Sequence, residues 1–227
     1  MNSSDHDPGR KFRAIIFDLD GTLLNTLEDI ADSVNRMLAD RGENMHSTDA
    51  YRSFIGNGWR MLVTRALPED QRLDALIETC VKQSRQIYQE NWNRKTRTYD
   101  GIPDLLDRLQ EQAVPLAILS NKPHDFTLRY AGAYLKQWQF EAIMGFSDRF
   151  PPKPDPAAAL EIARRAGLAP SEFLFVGDSG VDMQTAHAAG MHAVGAGWGF
   201  RGAEELQASG CHSLVNHPLE ILPLLEC

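Results

Sequence analysis

The chain has 227 residues, of which 43% are apolar and 24% are charged, and it carries a net charge of −8 with a sequence pI near 5.3. This length predicts one large domain or two small ones, with enough residues to bury a substantial core. The acidic balance argues against nucleic acid and anionic membrane as partners, because both require a basic face. No apolar run approaches the roughly 18–20 residues of a membrane span.

The N-terminus and the cysteines indicate the cellular compartment of the protein. Residues 1–10 (MNSSDHDPGR) are polar and lack the apolar middle of a signal peptide, so we expect a loose tail there. Cys80, Cys211 and Cys227 are too few and too scattered for a disulfide framework or a zinc site. Reduced thiols of this kind fit a cytoplasmic protein.

Short apolar runs alternate with helical patterns along the chain. The runs predict buried strands at Phe12–Phe17, Val114–Leu119, Phe140–Met144, Glu172–Val176 and Met191–Gly195. Continuous apolar runs of this length are typical of parallel strands that are buried on both faces. Helical spacing predicts helices at Ile102–Leu109, Pro156–Ala166 and Val181–Ala189. The alternation therefore predicts an α/β fold built on a doubly wound parallel sheet, with a Rossmann-like core.

One region departs from this alternation. Between residues 24 and 97 the sequence has helical spacing and no convincing strand. Thr26 and Asp29 predict a capping box at the start of a helix that Gly42 ends, and a longer amphipathic pattern follows Pro68. We therefore expect a small helical domain, residues 24–97, inserted after the first strand of a core made of residues 11–23 and 98–227.

Polar side chains gather where the predicted strands end. In chain order they are Asp18, Asp20, Ser120, Asn121, Lys153, Asp178, Ser179 and Asp182. Ligands of open α/β sheets bind at the carboxyl ends of the strands, so in a parallel sheet these groups converge on one edge. Asp18 and Asp20 share a face if the strand continues through them, because side chains in a strand repeat every two residues.

This set of groups indicates chemistry on a phosphoryl group. Several carboxylates in a small volume cannot all ionise without a cation, and hard oxygen ligands suit Mg²⁺. The metal and Lys153 would neutralise the charge of a phosphate, while Ser120 and Asn121 would donate hydrogen bonds to it. The sequence thus predicts a magnesium-assisted phosphoryl site.

The same motifs resemble, in order and wording, those of the haloacid dehalogenase-like phosphatase superfamily. They are FDLDGTLLNT, ILSNK, the lysine of PKPDP and FVGDSGVD, and the resemblance extends over the chain from about residue 11. It implies that Asp18 is the nucleophile that forms an aspartyl-phosphate. It also implies that Asp20 protonates the leaving oxygen and then activates the hydrolytic water.

The remaining site residues take their expected roles from the same resemblance. Ser120 and Asn121 would hold the phosphoryl oxygens, and Lys153 would steady both the phosphate and Asp18. Mg²⁺ would be bound by the Asp18 side chain, the Asp20 backbone carbonyl and the Asp178 side chain. Two further residues, Asp182 and Ser179, would position the groups that contact the metal and the phosphate. Asp182 would orient Lys153 or a metal-bound water.

The helical insert resembles the small cap of one large subgroup, which closes over the site and reads the substrate beyond its phosphate. Its segment RSFIGNGWR, residues 52–60, resembles the glycine-bearing loop of phosphoglycolate phosphatases. Gly56 and Gly58 would let the backbone approach a small substrate, and Arg60 would pair with a substrate carboxylate. A plain surface loop with a solvated arginine is the alternative interpretation.

The leading hypothesis is a Mg²⁺-dependent phosphatase of a small phosphorylated metabolite, with 2-phosphoglycolate as one candidate, acting as a monomer or homodimer. Two alternatives remain open. A phosphomutase on the same scaffold would return the phosphoryl group to the substrate. A non-enzymatic phospho-acceptor, similar to a signalling receiver, would also combine an acidic cluster, a hydroxyl and a lysine on a parallel sheet.

Overall fold

The computed structural model describes residues 11–225. The predicted tail at residues 1–10 and Cys227 lie outside the described residues. Across the described range no helix is both long enough and apolar enough to cross a membrane.

The strands are, in chain order, β1 (Ala14–Phe17), β2 (Leu24–Asn25), β3 (Arg97–Thr98), β4 (Leu116–Pro123), β5 (Ala142–Phe146), β6 (Phe173–Gly177), β7 (His192–Ala196) and β8 (Ser213–Val215). Within residues 11–225, six of them form one parallel sheet in the spatial order β5-β4-β1-β6-β7-β8. The chain crosses from β1 to β4 on one side and to β6 on the other, so β1 lies at the point where the strand order reverses. Ligands bind at such a point in open α/β sheets.

The helices are α1 (Leu27–Asp40), α2 (Tyr51–Phe54), α3 (Gly58–Ala66), α4 (Asp74–Asn91), α5 (Ile102–Glu111), α6 (His124–Tyr134), α7 (Ala157–Ala166), α8 (Gly180–Ala189), α9 (Ala203–Ala208) and α10 (Leu222–Leu225). Side chains of β1 alternate between two apolar layers. Ile15 and Phe17 join the layer that contains α5 and α6, whereas Ala14 and Ile16 join the layer that contains α7 and α8. The sheet is therefore covered on both faces, as the continuous apolar runs predicted.

The doubly wound parallel sheet is confirmed, and the structure corrects several details of it. β4 continues through polar residues to Pro123, four positions beyond the predicted end at Leu119. β8 was not predicted, because three residues are too few to show a pattern. The prediction that the insert has no strand is wrong at its two ends, since β2 pairs antiparallel with β3 there.

The predicted capping box at the start of α1 is also wrong. Thr26 makes no side-chain capping bond, and its hydroxyl donates instead to Asp20 Oδ1 at 2.7 Å. The Asp29 carboxylate is buried and accepts bonds from the Lys95 and Thr96 backbone N–H groups and from the Thr96 hydroxyl. Asp29 therefore ties the start of the insert to its end.

We expect Asp29→Asn to destabilise the fold by about 1–3 kcal/mol, because its amide would aim N–H groups at backbone N–H donors that have lost their acceptor. Urea unfolding measures the loss. Asp32→Asn is the matched control on the same helix, since the Asp32 carboxylate is exposed and its pair with Lys95 is worth less than about 1 kcal/mol. Equal losses in the two variants would contradict the proposal that Asp29 ties the start of the insert to its end.

Candidate active site

Three carboxylates meet at the carboxyl ends of β1 and β6. One oxygen from each of Asp18, Asp178 and Asp182 lies within 4.8 Å of the others, and all three residues are buried. We call this set the acidic cluster. Asp18 directly follows β1, Asp178 directly follows β6, and Asp182 lies in the first turn of α8. Residues 160 positions apart in sequence therefore share one small volume.

Lys153 is the cation of the acidic cluster. Its Nζ lies 2.9 Å from Asp18 Oδ1 and 2.6 Å from Asp182 Oδ1, and only 3% of its side chain is exposed. Burial lowers the pKa of Lys153, but Asp18 and Asp182 outweigh burial and raise it above its usual range. Asp182 also accepts bonds from the backbone N–H and hydroxyl of Ser179, so both of its oxygens are occupied.

The other two carboxylates of the cluster resist ionisation. Burial raises the pKa of Asp18 to about 7; the Lys153 ammonium opposes this shift, and the charges of Asp182 and Asp20 add to it. Burial, together with Asp182 and Asp18, raises the pKa of Asp178 well above its usual range. One lysine therefore does not compensate the cluster, and a further cation would relieve the repulsion.

Two glycines make room around Asp178. A Cβ at Gly21 would lie 2.1 Å from Asp178 Oδ2, and one at Gly199 would lie 2.2 Å from Asp178 Cβ. Gly21 also has a φ of +88°, which favours glycine. The Phe200 backbone N–H donates to Asp178 Oδ2 at 2.6 Å. The glycine-rich turn after β7 thus packs over the acidic cluster.

Asp20 lies beside the cluster and has its own cation, which the sequence analysis did not single out. Lys122 Nζ lies 3.0 Å from both Asp20 oxygens, and 2% of the Lys122 side chain is exposed. The same two-residue alternation that paired Asp18 with Asp20 could have found Lys122, because it lies two positions after Ser120 on β4.

Aromatic rings surround the Lys122 ammonium. Its Nζ lies 4.6 Å from the centroid of the Tyr130 ring and 5.1 Å from that of Tyr88, distances at which a cation is attracted to a ring face. The two tyrosine hydroxyls bond to each other, and Tyr130 also donates to the Trp92 carbonyl. Since Tyr88 lies on α4 and Tyr130 on α6, Lys122 lies where the insert meets the core.

The Asn121 side chain is held by backbone groups, and that Asn121 holds a phosphoryl oxygen stays a prediction. Its Nδ2 donates to the carbonyls of Gly56 and Lys153 at 3.0 Å, and its Oδ1 accepts from the Lys153 N–H. The amide is therefore occupied with backbone groups, and it positions Lys153 and the insert loop. Asn121 and Ser120 both line the cavity, together with Asp18 and Asp178.

A cavity of about 50 Å³ opens above these groups. Asp18, Asp20, Lys153 and Asp178 line its floor, and residues of the insert line the opposite side. Gly56 and Gly58 are among the latter, and their approach to a substrate stays a prediction.

Arg60 was expected to pair with a substrate carboxylate, but it does not line this cavity. Its guanidinium pairs with Asp74 at 2.7 Å and with Glu78 at 2.9 Å on the exposed surface of the insert. It follows Trp59 on α3, whose side chain does line the cavity, and adjacent residues of a helix point in different directions. The arginine that does line the cavity is Arg201, a core residue that contacts the insert and that the sequence analysis did not select.

Comparison with known proteins agrees with this geometry. The model of the haloacid dehalogenase-like hydrolase family matches residues 15–196. A phosphoglycolate phosphatase from Pseudomonas putida is 36% identical over 95% of this chain and 80% of its own length. Phosphoglycolate phosphatase 1 from Pseudomonas aeruginosa is 31% identical over 94% and 80%. The solved structure of a predicted phosphoglycolate phosphatase from Haemophilus somnus has a TM-score of 0.86 at 30% identity, over 94% and 98% of the two chains.

The fold and the site define a hydrolase with an acidic active centre on a parallel sheet. The chain belongs to the haloacid dehalogenase-like hydrolase family. Within that family it is similar to the phosphoglycolate phosphatases, and its enzyme class is phosphoric monoester hydrolase. The resemblance stated from the sequence motifs is confirmed.

Proposed function

We propose that this protein is a Mg²⁺-dependent phosphatase that hydrolyses a small phosphomonoester through an aspartyl-phosphate, with 2-phosphoglycolate or a similar metabolite as substrate. One observation carries the proposal: the Asp18 carboxylate lines a small cavity, pairs with Lys153 and lies in the acidic cluster with Asp178 and Asp182. The residues 24–97 that cover this cavity would form the cap, and residues 11–23 and 98–227 the catalytic core.

The residues present fit a divalent cation. Asp18, Asp20, Asp178 and Asp182, taken with the two lysines that pair with them, Lys122 and Lys153, carry a net charge of −2 when all are ionised. Asp182 is occupied by Lys153 and Ser179, so the Asp18 and Asp178 side chains would hold the ion, together with the Asp20 carbonyl. Bound Mg²⁺ would neutralise charge on the phosphoryl oxygens.

The chain's own groups would divide the reaction into two transfers. An Asp18 oxygen would bond to phosphorus as the bond to the leaving oxygen breaks, and Asp20 would protonate that oxygen. Asp20 would then take a proton from water, whose oxygen bonds to phosphorus and releases Asp18. Lys122 and Thr26 hold the Asp20 carboxylate, while Lys153 and Ser120 would face the phosphoryl group.

The cavity's size supports a small substrate. Since a cavity needs about 10–15 Å³ to admit one water, a volume near 50 Å³ has room for a handful of waters, comparable to the part of a small metabolite beyond its phosphate. Cytoplasmic location and a monomeric or homodimeric state remain predictions.

A panel of phosphomonoesters tests the proposal. We expect Mg²⁺-dependent release of inorganic phosphate from at least one small ester, loss of that activity in EDTA, and its return when Mg²⁺ is restored. Conversion of the substrate to an isomer with little free phosphate would identify a mutase. A phosphoryl-enzyme that persists for minutes would support the receiver-like alternative, and no turnover of any ester would refute the proposal.

Asp20→Asn should slow turnover by about 10²–10⁴-fold, because it removes the group that protonates the leaving oxygen and activates water. With an activated substrate such as p-nitrophenyl phosphate, whose leaving group needs no proton, the first transfer should survive and phosphoryl-enzyme should accumulate. Rapid acid quench with labelled substrate measures the trapped phosphate. If the variant turns over both kinds of ester at the wild-type rate, Asp20 has neither role.

A further inference from the structure

We propose that Arg201 selects the substrate by pairing with a second anionic group, a carboxylate, on the small phosphomonoester. The inference rests on the proposed function and adds the residue that decides which esters are accepted. Arg201 belongs to the core, in the turn between β7 and α9, and it lines the same cavity as Asp18 and Ser120.

The first argument is the balance of charge within the cavity. Its lining cations are Lys122, Lys153 and Arg201. Lys122 is matched by Asp20, and Lys153 is matched by Asp18 and Asp182. Arg201 is the lining cation that no catalytic carboxylate neutralises. Its acidic neighbour Glu205 lies 3.5 Å away with 46% of its side chain exposed, a position in which water weakens the attraction.

The second argument is how the Arg201 guanidinium is held. Its Nη2 donates to the carbonyls of Ser53 and Ile55, at 3.3 and 2.8 Å, and its Nε faces Glu205. Among the described residues, Nη1 has no acceptor. With 13% of its side chain exposed, Arg201 is fixed in place and keeps donors for a ligand. A guanidinium fixed in this way is well suited to a carboxylate.

The third argument is the character of the surrounding wall. Beside Arg201 and the polar residues of the strand ends, the cavity is lined by the apolar side chains of Ile55, Trp59, Leu62 and Phe200. An apolar wall strengthens the attraction between a charged ligand group and a cation beside it. It also offers little to a sugar or another polyhydroxylated group, which would leave its hydroxyls unpaired there.

Two further arginines lie near Arg201, although neither lines the cavity. Arg65 donates to the Ser53 and Phe54 carbonyls, and Arg52 donates to the Gly199 carbonyl. Burial, and then the charge of Arg201, lower the pKa of Arg65, which places the two guanidinium groups within each other's field. The positive charge of Arg65 near Arg201 adds to the attraction for a substrate that carries a second anionic group.

The test compares two esters of similar size, 2-phosphoglycolate and ethyl phosphate, which differ in the carboxylate. Wild-type protein should prefer 2-phosphoglycolate in kcat/KM. Arg201→Gln keeps a donor for the Ile55 carbonyl and removes the charge. It should lower kcat/KM for 2-phosphoglycolate by about 10–100-fold, mainly through KM, and leave ethyl phosphate within about threefold. Arg201→Lys should restore part of the preference, and Arg60→Gln, on the exposed surface, should leave it unchanged.

Other results would overturn the inference. Equal losses for both esters in Arg201→Gln would mean that Arg201 holds the insert against the core and does not select the substrate. A wild-type preference for ethyl phosphate would refute carboxylate recognition directly. Failure of the proposed function is a different result, since the wild-type protein would then release phosphate from neither ester nor from any other. Thermal unfolding of each variant shows whether a loss comes from misfolding.

Discussion

Asp18→Asn should abolish phosphate release, with a loss of about 10⁴-fold or more, because an amide cannot form the proposed acyl phosphate. The same variant should fold and, without metal, be more stable than wild-type protein. Its amide keeps the size of the carboxylate and removes a charge that the acidic cluster repels, while Lys153 keeps Asp182 as a partner. Phosphate release and urea unfolding in EDTA measure the two effects.

The gain in stability should depend on pH in a defined direction. The pKa of Asp18 is about 7 in the folded protein, above its ordinary value of 3.8. The folded wild-type protein thus holds this proton more tightly than the unfolded chain does, and it loses stability as pH rises from about 4 to about 7. The advantage of Asp18→Asn should grow across that window to about 1–4 kcal/mol and then level off.

Asp70→Asn, at an exposed position of the insert, is the matched control and should change neither activity nor the pH dependence. Added Mg²⁺ should stabilise wild-type protein more than Asp18→Asn, because the variant lacks one of the proposed ligands. Substantial activity in Asp18→Asn, or a metal-free variant less stable than wild type at neutral pH, would contradict the assignment of the nucleophile.

Lys153→Met should both inactivate the enzyme and destabilise it by about 3–5 kcal/mol at neutral pH. Methionine fills a similar volume, but the variant leaves Asp18 and Asp182 buried without their cation. The destabilisation should become smaller as pH falls, since the carboxylates can then take up protons. Urea unfolding at neutral and acidic pH measures the change, and Mg²⁺ should not restore turnover.

Lys82→Met on the exposed side of α4 is the control for losing one lysine, and it should cost less than about 0.5 kcal/mol. A Lys153→Met protein as stable as this control would mean that the acidic cluster is not ionised around Lys153. Retained phosphate release would show that the lysine does not face the phosphoryl group.

The sequence predicted the sheet because its signal is local and strong. Runs such as AIIF and FLFVG are apolar throughout, and only a strand covered on both faces buries every residue of such a run. The end of β4 was missed for the opposite reason. Ser120 and Lys122 look like loop residues in the sequence, yet both are buried in the strand, where the Ser120 hydroxyl accepts from the Lys122 N–H and Asp20 pairs with the Lys122 ammonium. β2 and β3 have two residues each and carry no pattern at all.

The candidate site likewise contains residues that the sequence predicts and residues that only the packing reveals. Asp18, Asp20, Lys153 and Asp178 could be placed together because they follow strands whose ends meet. Arg201 could not be found, since its position depends on how the turn after β7 packs against the insert. Arg60 was the more obvious arginine in the sequence, but only packing shows that it faces outward to Asp74 and Glu78.

The pairing of β2 with β3 means that the chain leaves the core and returns to it at adjacent positions, with Leu24 opposite Thr98. Paired residues of this kind have Cα atoms about 4.5–5.5 Å apart, so a two-residue turn could join them. The 73 residues between this pair, 25–97, could therefore be exchanged for those of a relative as one unit, without changing the strand order of the six-stranded sheet. Such chimaeras would separate the part of substrate preference that the insert sets from the part that Arg201 sets, because Arg201 stays with the core.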